Sequence, residues 1–298
     1  MNEKQKKKKK NGLKDITNIM RLQSNVEETK KPPVHPDVVL NEFTKACHAD
    51  DILSHLKAQE RKHCIKSTCF EEHPFITPKM RSIVVDWLVD IHVKAKLHTE
   101  TLFLSINLLD RYLMASRKMR RDELQLCGIA ALLVASKYEE LFAPELKYLE
   151  HITDMTYTKD LILEFEVKML KQLKFSVTIA SIHAFLLRFL EIDQVASNVT
   201  NLLASYYTQR ALQEFTLMIH PPSLIASAAI YLARTASNQE PWTLNLQDAT
   251  GYSTATVKDR AMQLALLFQK PTKLNAVHSK FNRRKYGKVS TIPLPEIL

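Results

Sequence analysis

The side chains best suited to hold a metal or attack a substrate crowd into one stretch of this sequence. Cys47 and His48, His63 and Cys64, then Cys69 and His73 put six thiol and imidazole groups within 27 residues. Zinc knuckles and fingers set their ligands in closely spaced pairs at two places along the chain. This stretch lacks that rhythm, so thiols beside solvated histidines are expected, with no metal and no cofactor. There is no nucleophile elbow and no His-Glu-x-x-His. Only four glycines are present, Gly12, Gly128, Gly251 and Gly287. Phosphate-cradling loops and tight hairpins need glycine at positive φ, so this count argues against a nucleotide loop and against a hairpin-rich β fold. No catalytic set emerges, and the chain is not expected to be an enzyme.

More informative are charged residues set in strongly apolar surroundings: Arg81, Asp110, Lys137 and Glu166. Each could be an ordinary exposed charge at a helix end. Charges beside a core are costly unless paired, and an Arg81–Asp110 bridge would satisfy two of them at once.

Helices must carry these residues. Asp50 and Asp51 suit an N-cap or first turn, and Ile52, Leu53 and Leu56 give a one-sided stripe, predicting a short helix at about 50–62. Pro78 suits a first helical turn. After it Met80, Ile83, Val84, Trp87, Leu88 and Ile91 recur on one helix face, with Val85 and Val89 on another. The spacing predicts further helices at 99–112, capped by Thr99, then at 124–135, 144–152 and 158–173. The third of these five is apolar around its whole circumference and is expected to be central. The pattern then repeats: 126–135 aligns with 224–233 at an offset of 98, and Thr156-Tyr157-Thr158 with Gly251-Tyr252-Ser253 at an offset of 95. The second copy predicts helices at 179–190, 196–211, 222–234, 244–249 and 254–268. The expected fold is all-α, two tandem five-helix domains preceded by an N-terminal helix and a disordered basic tail. The divisions are expected at 1–47, 48–176 and 177–298 of the 298 residues.

The net charge of +10 resembles a nucleic-acid signature until it is located. Residues 1–10 carry a net +5 and residues 273–288 a net +6, which leaves −1 for the remainder. A near-neutral body lacks the positive stripe of a DNA reader, so no nucleic-acid partner is expected. The tail is rich in lysine and broken by Pro32, Pro33 and Pro36, too polar to offset its ordering entropy. Four cysteines without a leader or a dense framework imply a reducing compartment, and no stretch reaches membrane-spanning length. A soluble intracellular protein with no membrane partner is expected.

Several ordered segments resemble the mitotic cyclins. Met80-Arg-Ser-Ile-Val-Val-Asp-Trp-Leu-Val-Asp90 is similar to the cyclin-box motif around Met-Arg-Ala-Ile-Leu. Glu100-Thr-Leu-Phe-Leu-Ser-Ile-Asn-Leu-Leu-Asp-Arg-Tyr-Leu113 resembles the second helix of that family. Ala135-Ser-Lys-Tyr-Glu-Glu140 and Ile152-Thr-Asp-Met-Thr-Tyr-Thr-Lys159 match two further signatures, and the resemblance spans about 48–298, B-type before A-type.

The resemblance implies a regulatory subunit that binds and activates a cyclin-dependent kinase, present in nucleus and cytoplasm. Lys137 and Glu166 are implied to grip the kinase's mobile helix, with Leu170, Phe175 and Val177 as apolar contacts; read without the family, Leu170 and Phe175 could be core. The helix at 50–62 is implied to pack on the kinase as well. Met80, Ile83, Val84, Trp87, Asp90, Leu124 and Gln125 resemble a docking patch for substrates or inhibitors bearing Arg-x-Leu motifs. Ser82, Val84 and Asp90 depart from the family's Ala, Leu and Glu there. In the tail, Lys10, Leu13, Ile16 and Asn18 resemble a destruction box read by a ubiquitin ligase, with Lys10 in place of Arg. The run 6–10 reads either as a nuclear import signal or as a solvated tail. The alternative is a transcription-factor-IIB-like DNA-binding protein, which shares the double five-helix fold.

Overall fold

The computed structural model describes residues 48–295 apart from 72, 117–118 and 194–196. The destruction-box-like residues Lys10, Leu13, Ile16 and Asn18, and Cys47, lie outside the described residues. Helix α1 (Ala49–Gln59) runs into a 3-10 turn at Glu60–His63. The first repeat comprises α2 (Pro78–Ala95), α3 (Thr99–Ala115), α4 (Glu123–Glu139), α5 (Leu146–Ile152) and α6 (Lys159–Gln172). The second comprises α7 (Ile182–Asp193), α8 (Asn198–Ala211), a single turn α9 (Phe215–Met218), α10 (Pro222–Ala236), α11 (Leu244–Thr250) and α12 (Thr254–Gln269). A C-terminal extension adds α13 (Ala276–Phe281) and two 3-10 turns, Arg284–Tyr286 and Val289–Thr291. Among the described residues there is no strand.

Each repeat wraps its helices around an apolar central one. Residues Leu126 to Ser136 of α4 are all buried, as are Ser223 to Arg234 of α10. Small residues let the neighbours close in. A Cβ built on Gly128 would lie 2.9 Å from Val84 Cγ1 of α2, so glycine sets that helix–helix approach.

Helix starts follow side-chain capping, which corrects several expected ends. Thr77, Thr158, Ser197, Thr243 and Ser253 each accept the backbone N–H three residues on. Ser197 therefore starts α8 at Asn198 instead of 196, and Ser181, accepting from Ala184 N at 2.9 Å, starts α7 at Ile182 instead of 179. Thr99 is not a cap. It is the first helical residue, His98 occupies the cap position, and the Glu140 carboxylate from the end of α4 takes the His98 N–H at 2.7 Å. A contact 42 residues away replaces the local one.

Buried ion pairs tie the body together. Arg81 is fully buried and donates Nε to Asp110 Oδ1 at 2.7 Å and Nη2 to Oδ2 at 2.6 Å. Its third donor, Nη1, reaches the Leu212 carbonyl at 2.5 Å, so the pair also clasps the second repeat. A bidentate fork with the third guanidinium nitrogen also engaged is the geometry in which a buried pair is tolerated. The second repeat has a counterpart in Arg234, whose Nη1 lies 2.6 Å from Asp193 Oδ1.

Helix α1 rests on the second repeat. Lys57 Nζ donates to the Thr250 carbonyl at 3.0 Å and to Ser223 Oγ at 3.2 Å, and sits 4.3 Å from the Tyr252 ring centroid. Burial lowers the Lys57 pKa, with Glu60 opposing. Glu60 accepts the Ser223 N–H at 3.1 Å, and Arg188 donates to Asp50 at 2.9 Å.

Candidate functional site

A charged pair closes the end of α4, and the most exposed large apolar side chains of the first repeat, Leu141 and Phe142, follow it in the chain. Lys137 stands in the last turn of α4, where a cation complements the helix dipole. Its Nζ donates to both oxygens of Glu166 on α6, at 2.7 and 2.8 Å. Glu166 is buried at its base and Lys137 is half exposed. Two carboxylate oxygens and a three-donor ammonium leave capacity for further partners at the rim. Around the pair, Leu141 is 88% exposed, Phe142 85%, Phe175 68% and Tyr138 51%. Val167 is exposed too, while Leu170 and Val177 are half buried against the core. So many large apolar groups left in water beside a charged pair mark an interaction surface.

The backbone holds Phe175 outward. Helix α6 ends with Lys174 N–H donating to Lys171 O at 3.1 Å and Phe175 N–H to Leu170 O at 2.9 Å. Lys174 and Phe175 both take left-handed φ, 53° and 56°. Glycine is the usual residue in such a cap, and a bulky side chain there is strained. The turn is fixed from behind. Arg111 Nη2 of α3 donates to the Ser176 carbonyl at 2.8 Å, and Tyr138 Oη meets Thr178 Oγ1 at 2.6 Å. Burial lowers the Arg111 pKa. Beside the face, burial raises Glu139 from its ordinary 4.5 to about 7, with Glu100 and Glu140 adding to it.

Of the five residues expected at a kinase contact, Lys137 bonds Glu166, Leu170 lies about one turn further along α6, the Phe175 N–H donates to Leu170 O, and the Val177 N–H donates to Phe175 O at 3.1 Å. Tyr138, Leu141 and Phe142 were not among the expected residues, because the mostly polar run Ser136-Lys-Tyr-Glu-Glu140 separates Leu141 and Phe142 from the apolar helix. Nor was Arg111. The second repeat has no equivalent pair. At the repeat offsets, Lys137 corresponds to Thr235, whose hydroxyl donates to its own helix at Tyr231 O, and Glu166 corresponds to the buried Ala261.

The second predicted set divides. Met80, Ile83 and Trp87 of α2 and Gln125 of α4 reach the surface, Ile83 at 54% exposure. Val84 and Leu124 are buried in the core, a correction to their expected role as contacts, since Val84 fills the space beside Gly128. Asp90 is exposed and already paired with Lys94 at 2.9 Å. That hydrogen bond, then the charge of Asp90, raises the Lys94 pKa. Of the thiol–imidazole stretch, His73 engages the Leu113 carbonyl at 2.8 Å and His48 faces Asp51. Among the described residues no three potential ligands converge.

Residues 51–178 match the family "Cyclin, N-terminal domain" and residues 180–295 match "Cyclin, C-terminal domain". Cyclin-A2-1 of Arabidopsis thaliana is 39% identical over 229 residues, covering 74% of this chain and 52% of that protein. G2/mitotic-specific cyclin-2 of Medicago sativa is 35% identical over 243 residues, covering 80% of this chain and 74% of that protein. The chain spans about half the length of several curated relatives that it matches. Among solved structures, a viral cyclin from herpesvirus saimiri superposes with a TM-score of 0.63 at 22% identity. It covers 73% of this chain and 100% of its own, a likeness of fold.

Proposed function

The chain belongs to the cyclin family, in its mitotic branch of A and B types, and from that premise we propose that its first repeat binds and activates a cyclin-dependent kinase. One observation carries this reading: the Lys137–Glu166 pair set within the exposed ring of Tyr138, Leu141, Phe142 and Phe175. A partner covering that ring gains the apolar burial the free chain forgoes, and the pair offers hydrogen bonds to the end of a helix. The chain supplies no catalytic group. Its binding energy shifts the kinase toward the conformation in which the kinase's own ion pair and activation loop are in place. Helix α1, fixed on the second repeat, extends the surface offered. Met80, Ile83, Trp87 and Gln125 would dock Arg-x-Leu segments of substrates or inhibitors, and the tail would meet a ubiquitin ligase. The test is Lys137→Ala with Glu166→Ala. The double variant is expected to keep its helicity and lose kinase co-purification, and unchanged co-purification refutes the reading.

A further inference from the structure

The C-terminal extension concentrates positive charge on one folded turn. Between Asp259 and Glu296 the sequence holds eight Lys and Arg and no acid. Four of them, Arg283, Arg284, Lys285 and Lys288, fall within six residues, and all four are exposed.

The turn that carries them is built into the body. Phe281, Tyr286 and Val289 are buried, Phe281 packing on Tyr286 at 4.8 Å between ring centroids and on Tyr206 of α8 at 5.5 Å. Buried Lys280 is spent internally, donating to Gln209 Oε1 at 2.7 Å. Asp86 of α2 accepts the Asn275 and Ala276 N–H groups at 3.3 and 2.9 Å, fixing the start of α13. The turn closes on itself. Gly287 N–H donates to Arg284 O at 3.0 Å and Lys288 N–H to Arg283 O at 3.4 Å, with Gly287 and Lys288 both left-handed at φ 61° and 55°. That closure brings the chain back on itself between Arg283 and Lys288, so the four cations share one loop. Helix α8, packed beneath the extension, contains no acid to neutralise them. Like charges held together on a rigid support cost free energy that a bound polyanion would recover.

The geometry points to a docking site for a phosphorylated peptide segment. Guanidinium forks bind phosphate bidentately, and two adjacent arginines followed by two lysines on the same turn match one or two phosphates. Nucleic acid fits less well. No large apolar side chain described beyond Leu266 is exposed, so the turn offers no platform on which bases could stack. The choice of phosphopeptide rests on the proposed function, since a kinase bound to this chain would generate such segments nearby.

The test uses the full chain without any kinase, so it succeeds or fails independently of kinase binding. Fluorescence anisotropy is measured with a doubly phosphorylated peptide, its unphosphorylated form, a glutamate-substituted form, and a single-stranded oligonucleotide of equal charge. The doubly phosphorylated peptide is expected to bind at least about tenfold tighter than the unphosphorylated one, and more weakly as salt rises. Arg283→Gln/Arg284→Gln/Lys285→Gln, which leaves the left-handed Lys288 in place, is expected to lose that tenfold at an unchanged Tm. Equal binding of the phosphorylated and unphosphorylated peptides overturns the proposal. So does binding unaffected by the triple substitution, or tighter binding of the oligonucleotide or of the glutamate form.

Discussion

Phe175→Ala separates a surface built for a partner from an incidental exposed ring. The side chain is 68% exposed and projects from a left-handed turn closed by the Phe175 N–H to Leu170 O bond. Full burial of a phenylalanine side chain is worth about 1.5–3 kcal/mol. The free chain realises the smaller share, leaving about 1–2 kcal/mol for a partner to gain. That corresponds to roughly a 5- to 30-fold rise in the Kd for kinase when the ring is removed. Stability should move by less than about 0.5 kcal/mol, because little buried surface is lost. Alanine suffers at φ 56° much as phenylalanine does, so the strain of the turn is carried over unchanged. Kinase affinity by calorimetry and Tm by circular dichroism, on the same preparations, give the two numbers. A Tm fall of several degrees would assign Phe175 to the core, and an unchanged Kd would remove it from the interface.

The buried pair predicts the opposite pattern. Arg81→Met strands Asp110 and frees the Leu212 carbonyl, and should cost about 3–5 kcal/mol, while Arg81→Met/Asp110→Leu recovers most of that in chemical denaturation. For pH, Glu139 has a folded pKa raised above its unfolded value, so its contribution is fully present below 4.5 and is lost as pH rises through about 7. Glu139→Gln should therefore raise Tm at pH 8, leave it nearly unchanged at pH 4.5, and flatten the fall between them.

Much of the fold can be read from the residues. The period of Met80, Ile83, Val84, Trp87 and Leu88 defines α2, and the all-round apolarity of 126–135 marks α4 as central. What one sequence hides is the long-range contact. Nothing local announces that Glu140 caps α3, that Asp86 holds α13, or that Arg81 clasps Leu212. Exposure is hidden for the same reason. Val84 and Ile83 are adjacent β-branched residues on one helix, yet one fills the space beside Gly128 and the other faces solvent. The exposed apolar surface beside the Lys137–Glu166 pair was partly legible through Lys137, Glu166 and Phe175. Leu141 and Phe142 follow the helix in a loop where hydrophobic periodicity carries no information, so only the coordinates reveal them.

The most direct measurement is titration of the full purified chain into a monomeric, otherwise inactive cyclin-dependent kinase, following phosphate transfer to histone. Saturable activation at one chain per kinase is expected, and the Lys137→Ala/Glu166→Ala variant should shift it to much higher concentration. Kinase activity that stays at its basal level across the titration, or that rises equally with the variant, would contradict activation through the first repeat.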